Sequence, residues 1–292
     1  MVTSVISVPQ NKEMGGGVFR DIKGKEIRID SPPQRIIPLV PSLTETLFAL
    51  GASEKIIAVT RFCKYPKKEI ATRPKIGGVH DVDRAAILSL EPDLIIANME
   101  ENKREDIEYL AERVPVYLIF PKSVRDAQAL ILALGELLGV RERGHMLARR
   151  IEEEYQKARE VWSGRRPFRV FYPVWYSPYY SINGDTYISD FLGACGTKNI
   201  FADKERRYFP IDLSEVISRN PEVILLPSEP FKFREGQREE LLAHVDIPAV
   251  KNNRVHLVDG EMICWWGVRM IKGFSYLSNI LWKNNPTNFG RR

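Results

Sequence analysis

Cys63, in "RFCKYP" (Arg61 to Pro66), and His80, in "IGGVHD" (Ile76 to Asp81), carry a thiol and an imidazole, groups that bind cobalt and iron as axial ligands. A second set has the residue types of a stacking site. Tyr65 follows Cys63 by two; Trp175, Tyr176 and Tyr180 fall in "VWYSPYY", Tyr208 and Phe209 in "ERRYFP", Glu229 and Phe231 in "SEPFKF", and Trp265, Trp266 and Arg269 in "CWWGVR". Rings offer large apolar contact at small entropic cost, and an arginine can meet a carboxylate, phosphate or amide edge. Together they suit holding a flat, metal-bearing molecule.

Each residue also has a plainer reading. A cysteine is more often a small buried hydrophobe than a ligand. His80 can merely cap the next helix, Tyr176 and Tyr180 can pack without a ligand, and Arg269 can pair with Glu229 or Asp259. Bond-breaking motifs are missing from the sequence: "GGGVF" lacks the lysine and spacing of a phosphate loop, "GEMICW" is no nucleophile elbow, and neither HExxH nor CxxC occurs. No catalytic residue is assigned and no cofactor is required. Two rival readings stand beside the binding protein. One is a cofactor-handling enzyme or metallochaperone using Cys63, its thiol pKa lowered by Lys64 or Arg61. The other is a bare-metal receptor using Cys63, His80 and Glu229, which lacks the clustered histidines such sites need.

Residues so far apart in sequence need a frame that gathers their loops. Short apolar runs, "RIIPLV", "KIIAVT", "DLIIAN" and "PVYLIF", read as buried parallel strands, and "SLTETLFALGA", "DRAAILSL" and "REDIEYLAERV" read as the helices between them. Ser42 is a plausible cap for the first helix and Gly51 its end. The second half repeats the pattern: "ILSLEPDLIIAN" and "VISRNPEVILLP" share a helix end, a proline followed by an acid, and a strand. Between the halves, Ser123 to Trp162 has helical spacing, no proline, and Gly139 and Gly144 as a possible break. The expectation is an α/β fold of two Rossmann-like lobes on a long rigid helix with a ligand cleft between them: an arm or small hairpin over 1–34, a first lobe over 35–141, a connecting helix over 142–164 and a second lobe over 165–292. Ligands of such sheets bind beyond the carboxyl ends of the strands, which is where the aromatic loops fall. "CWWGVR" is then expected at the cleft mouth, with Trp265 and Trp266 exposed.

The bulk composition narrows the partners. Lys plus Arg exceed Asp plus Glu by only 43 to 38, spread along the chain, so nucleic acid is not expected. No apolar stretch is long enough for a transmembrane helix. Three cysteines far apart argue against a disulfide framework, and the amino terminus lacks the basic start and apolar core of a signal peptide. The expected compartment is the cytoplasm for the chain as written, or the periplasm or cell exterior for a trimmed mature form.

The runs "RIIPLVPSLTETLFALGASEKIIAVTRFCKYP" and "IGGVHDVDRAAILSLEPDLIIANMEENKREDI", with "GDTYISDFLGACGTKNIF", "VILLPSEPFKF" and "HLVDGEMICWWGVR", resemble the helical-backbone (class III) substrate-binding proteins that carry cobalamin, haem or ferric siderophores to ABC importers. The similarity is greatest to the subgroup called helical backbone metal receptors, which lack export signals. The resemblance implies a bound metal chelate, cobalamin or another corrinoid first and haem or a ferric siderophore next, and an ABC importer as partner. Two positions depart from the cobalamin-binding pattern. The first-lobe glutamate that docks on the importer is Ala85 here, beside Arg84, while the second-lobe one is Ser214 or Glu215. The first-lobe tryptophan that flanks the corrinoid falls at Val79.

Overall fold

The computed structural model describes residues 17–283. Residues 1–16, the start of the expected arm, and 284–292 lie outside the described residues. The chain divides into two compact units: one comprises the chain up to Pro121, Arg125–Ile151 and Trp266–Val268, and the other Lys122–Val124, Glu152–Trp265 and the chain from Arg269.

The first unit begins with an antiparallel hairpin of β1 (Gly17–Arg20) and β2 (Glu26–Ile29). Its sheet is parallel, in the order β3 (Ile36–Pro38), β4 (Leu94–Asn98), β5 (Val116–Ile119), and all three strands are buried along their length, as their unbroken apolar runs require. "KIIAVT" does not join as a full strand: it makes single bridges from Ile56 to Ile36 and from Val59 to Lys75 before turning away. The helices are α1 (Pro41–Ala49), α2 (Lys67–Ala71), α3 (Arg84–Ser89), α4 (Arg104–Ala111) and α5 (Val124–Leu137). Ser42 is not the cap of α1. Pro41 occupies the first helical turn after Val40, where a missing N–H costs nothing, and Gly51 at φ +77° follows the helix end. The next helix, α6 (Arg141–Trp162), is 22 residues long and begins after Gly139 at φ +70°. Gly144 does not break it. Gly144 lies against Gly135 of α5, where an added Cβ would meet backbone at 3.1 Å, so the pair of glycines permits close helix packing.

The second unit holds a parallel sheet in the order β12 (Val255–Val258), β11 (Val223–Pro227), β6 (Phe168–Phe171), β9 (Thr197–Asn199), and an antiparallel one in the order β10 (Tyr208–Ile211), β8 (Tyr179–Ile182), β7 (Pro173–Trp175). Its helices are α7 (Tyr187–Ala194), α8 (Leu213–Ser218), α9 (Glu235–Leu242), α10 (Pro248–Lys251), α11 (Glu261–Cys264) and α12 (Met270–Ser278).

The sequence repeat has a structural counterpart atom by atom. In the first unit α3 is followed by Glu91 at φ +45°, then Pro92 and Asp93 lead into β4; in the second, α8 is followed by Asn220 at φ +48°, then Pro221 and Glu222 lead into β11. Arg35 donates to the carbonyls of Leu90 and Glu91, and Arg169 donates to those of Arg219 and Asn220. The acid after each proline accepts the backbone N–H of the same arginine, at 3.0 Å in both units. A guanidinium thus serves the orphan carbonyls at the end of a short helix, and the acid ties that corner to the neighbouring strand.

Candidate functional site

In the first unit, "RFCKYP" leaves the sheet with Cys63 turned inward. Its sulfur donates to Thr44 Oγ1 at 3.3 Å and lies 3.3 Å from Thr60 Oγ1, and Thr44 in turn donates to the Val40 carbonyl. Burial pushes the thiol up from its ordinary value, against the pull of these hydrogen bonds. This corrects the expectation that Cys63 approaches a ligand as thiolate: the cysteine packs and its neighbour faces out. Phe62, absent from the sequence-based site, is 46% exposed, with the Arg61 guanidinium 5.1 Å from its ring centre and an Arg61–Asp81 ion pair of 2.7 Å beside it. Gly78 lies beneath, where a Cβ would come within 2.9 Å of the Phe62 ring and 2.3 Å of Asp81 Oδ1. Alternation continued from buried Thr60, the last residue of "KIIAVT", would send Phe62 inward and Cys63 outward; the chain instead turns at Arg61 and Phe62, which leaves both exposed and Cys63 buried. Met99, just beyond β4, is also exposed, His80 stands exposed at its loop tip, and Tyr65 is half-buried. Among the described residues no group of three or more His, Cys, Asp or Glu is placed to hold a metal ion.

In the second unit, the β7–β8–β10 sheet carries the aromatic residues. Phe209 and Ile211 of β10 and Tyr179 and Ser181 of β8 point into the core; Tyr208 and Pro210 are exposed and Tyr180 is half-buried. Pro173 pairs with Ser181, so regular pairing would put Trp175 opposite Tyr179 on the core side. Instead a one-residue bulge shifts the register and Trp175 pairs with Tyr180. The bulge turns the indole outward, 49% exposed, into a cross-strand row of Trp175, Tyr180 and Pro210 with Tyr208 next along β10. Phe231 meets Trp175 edge-on at 5.5 Å and Tyr176 at 5.9 Å, and Tyr176 donates to Glu240 at 2.7 Å. The sequence placed Phe209 with these residues, but strand alternation sends it inward.

"CWWGVR" is the larger correction. Trp265 and Trp266 are 5% and 3% exposed, and Arg269 is buried as well. The Trp265 indole donates to Glu229 Oε1 at 3.0 Å, and Arg269 lies 5.2 Å over the same ring and 3.8 Å from Glu261, not Asp259. The Trp266 indole N–H is buried without a hydrogen-bond partner. Gly267, at φ +90°, lies against Thr46, whose Oγ1 would be 1.9 Å from an added Cβ and which accepts the Val268 N–H. Trp265 is interior with its N–H and ring face met by the protein's own Glu229 and Arg269, whereas Trp266 is interior beside a glycine turn packed on Thr46, with its own N–H left unserved.

The positions compared with importer docking acids are also visible. Ala85 is exposed on α3, and Arg84 beside it pairs with buried Asp106 at 2.5 Å. Glu215 on α8 pairs with Lys204 at 2.7 Å and Arg219 at 3.2 Å.

Comparison with known proteins bears on the fold and the family. The vitamin B12-binding protein of Vibrio parahaemolyticus is 28% identical over 238 residues, 80% of this chain and 84% of that protein. The periplasmic vitamin B12 binding protein BtuF of Vibrio cholerae superposes with a TM-score of 0.76 at 24% identity, covering 88% of this chain and 99% of that one. The periplasmic haem-binding protein RhuT from Roseiflexus sp. RS-1 does so with 0.74 at 25%, covering 86% and 98%. The fold is therefore the two-lobe fold of these proteins, and the class III resemblance holds. The model of the family described as periplasmic binding protein matches residues 36–262, from the first strand of the first sheet to α11, and the chain belongs to that family.

Proposed function

We propose that this chain is a non-enzymatic binding protein for a planar metal chelate, a corrinoid such as cobalamin first and haem or a ferric siderophore next. The observation that carries the reading is the bulge at Val174, which turns Trp175 out of the core to lie with Tyr180 and Tyr208 on one exposed row. A regular strand would have hidden that indole, and exposed rings in a row are what a flat macrocycle stacks on. The first unit separately carries the exposed Phe62 ring with its arginine edge, a surface of the same chemistry. The similarity to vitamin B12-binding and haem-binding proteins favours the same class. We further place the protein outside the cytoplasmic membrane, delivering to an ABC importer, as a periplasmic family suggests. With Ala85 at one docking position and Glu215 already paired, that contact relies on other groups here.

The test is a titration with cyanocobalamin and with haemin, followed by visible absorption and tryptophan quenching. Trp175→Ala and Phe62→Ala should each weaken the probe that binds by about 1 to 3 kcal/mol, the range for truncating an aromatic anchor. If neither probe binds at micromolar concentrations, or if both variants bind as the parent does, this reading fails. The cofactor-handling alternative needs a reactive Cys63, and its buried, hydrogen-bonded thiol argues against it.

A further inference from the structure

Asn102 lies four residues beyond the end of β4 and is 7% exposed. Its amide is fully engaged, and with backbone alone. Oδ1 accepts the Asn98 N–H at 2.8 Å, and Nδ2 donates both to the Leu39 carbonyl at 3.2 Å and to the Val79 carbonyl at 2.9 Å. These partners belong to three separate segments: the exit of β3, the last residue of β4, and the tip of the Gly77–Asp81 loop. Two donors and one acceptor at this side-chain length are what asparagine offers; aspartate would set a carboxylate against two carbonyl oxygens, and leucine would leave all three groups unserved.

The loop that Asn102 reaches has few other ties. Its base is closed by bonds from Asp83 N to Ile76 O, from Arg61 N to Gly77 O and from Gly78 N to Asp81 O. On the outside it has the Arg61–Asp81 pair, whose side chains are half exposed, and such surface pairs contribute little. Yet the loop supports Phe62, since Gly78 leaves no room for even a Cβ beneath that ring. A shift of the loop tip therefore moves the ring.

We propose that Asn102 is a positioning residue for ligand binding: by bonding Val79 to the exits of β3 and β4 from the inside, it holds the Gly78 platform on which Phe62 is presented. This rests on Phe62 being a ligand contact, as argued above, but the positioning itself can be read without ligand.

Asn102→Ala and Asn102→Asp are compared with Phe62→Ala and with the double variant Phe62→Ala/Asn102→Ala. Hydrogen exchange of the free proteins should rise about tenfold or more at the amides of Arg61, Gly78 and Asp83, as expected for loss of a buried hydrogen bond, and more for Asp than for Ala. Exchange in the second unit should be unchanged. Affinity for whichever of cyanocobalamin and haemin binds the parent should fall about tenfold in Asn102→Ala, and adding that change to Phe62→Ala should cost little more, because the platform no longer has a ring to present. A fully additive double variant, or unchanged exchange at those amides, overturns the proposal. If the parent binds neither probe, the ligand reading fails while the exchange measurement still decides whether Asn102 positions the loop.

Discussion

Trp175 and the pair Trp265–Trp266 are the same residue type in aromatic stretches at strand or helix ends, and the protein treats them oppositely. Trp175 has a bulged edge strand that turns it out and a Phe231 edge that steadies it. Trp265 has a carboxylate for its N–H and a guanidinium on its face, and Trp266 is followed by a glycine whose turn fits only without a side chain. Backbone conformation, not residue type, decides which indole can meet a ligand. Each expectation below would break or sharpen that contrast.

The largest effects belong to the buried pair. Trp265→Ala and Trp266→Ala should each lower unfolding free energy by about 3 to 5 kcal/mol, as large-to-small core changes do, measured by urea denaturation. The phenylalanine variants separate the two. Trp265→Phe strips Glu229 of the indole hydrogen bond and should cost about 1 to 3 kcal/mol, whereas Trp266→Phe removes a buried N–H that has no partner and should cost distinctly less. Equal losses in the two would mean that the hydrogen bond at Trp265 contributes nothing.

Gly267→Ala comes next. The residue would be held at φ +90°, a region L side chains avoid, with its Cβ against Thr46, so a loss of about 1 to 3 kcal/mol is expected. Gly164, also at positive φ but with open space around it, is the control, and its alanine variant should lose less. If both variants lose the same amount, strain alone accounts for the effect and the fit against Thr46 adds nothing.

The alkaline limb of stability probes how dry the interior is. Burial raises the Cys195 thiol from 9.0 to about 12. Below pH 9 both folded and unfolded states keep the proton; between pH 9 and 12 the unfolded chain releases it and the folded one does not, so stability falls as pH rises, by at most about 1.4 kcal/mol per unit for this group. Cys195→Ala should make that slope shallower between pH 8 and 10, while the buried tyrosines, which burial also raises, keep a slope of the same sign. Cys63, also raised, leaves a residual slope.

What could be read from the sequence follows from which interactions are local. The repeated corner was legible because proline, acid and strand are consecutive, and the parallel strands because burial on both faces leaves unbroken apolar runs. Which of Phe62 and Cys63 faces out depends on where a strand with only isolated bridges ends, and Trp175 depends on one extra residue in a three-residue strand. A shift of one position reverses a side chain, and pattern alone does not fix register to that precision. The burial of Trp265 and Trp266 rests on Glu229 and Thr46, 36 and 222 residues away from their partners in the hydrogen bonds that hold them.

The smallest expected change is at Trp175. With half its surface in solvent, its truncation forfeits mainly the Phe231 edge contact, so Trp175→Ala should change unfolding free energy by no more than about 1 kcal/mol. The same variant should lose the largest share of iodide-quenchable fluorescence, because Trp175 is the most exposed of the five tryptophans. A loss of several kcal/mol would mean that the bulge leaves the indole bearing on the core after all, and the contrast with Trp265 would disappear. Near-wild-type stability with lost quenching would leave Trp175 as a ring held outward at little cost to the fold, available to whatever stacks on it.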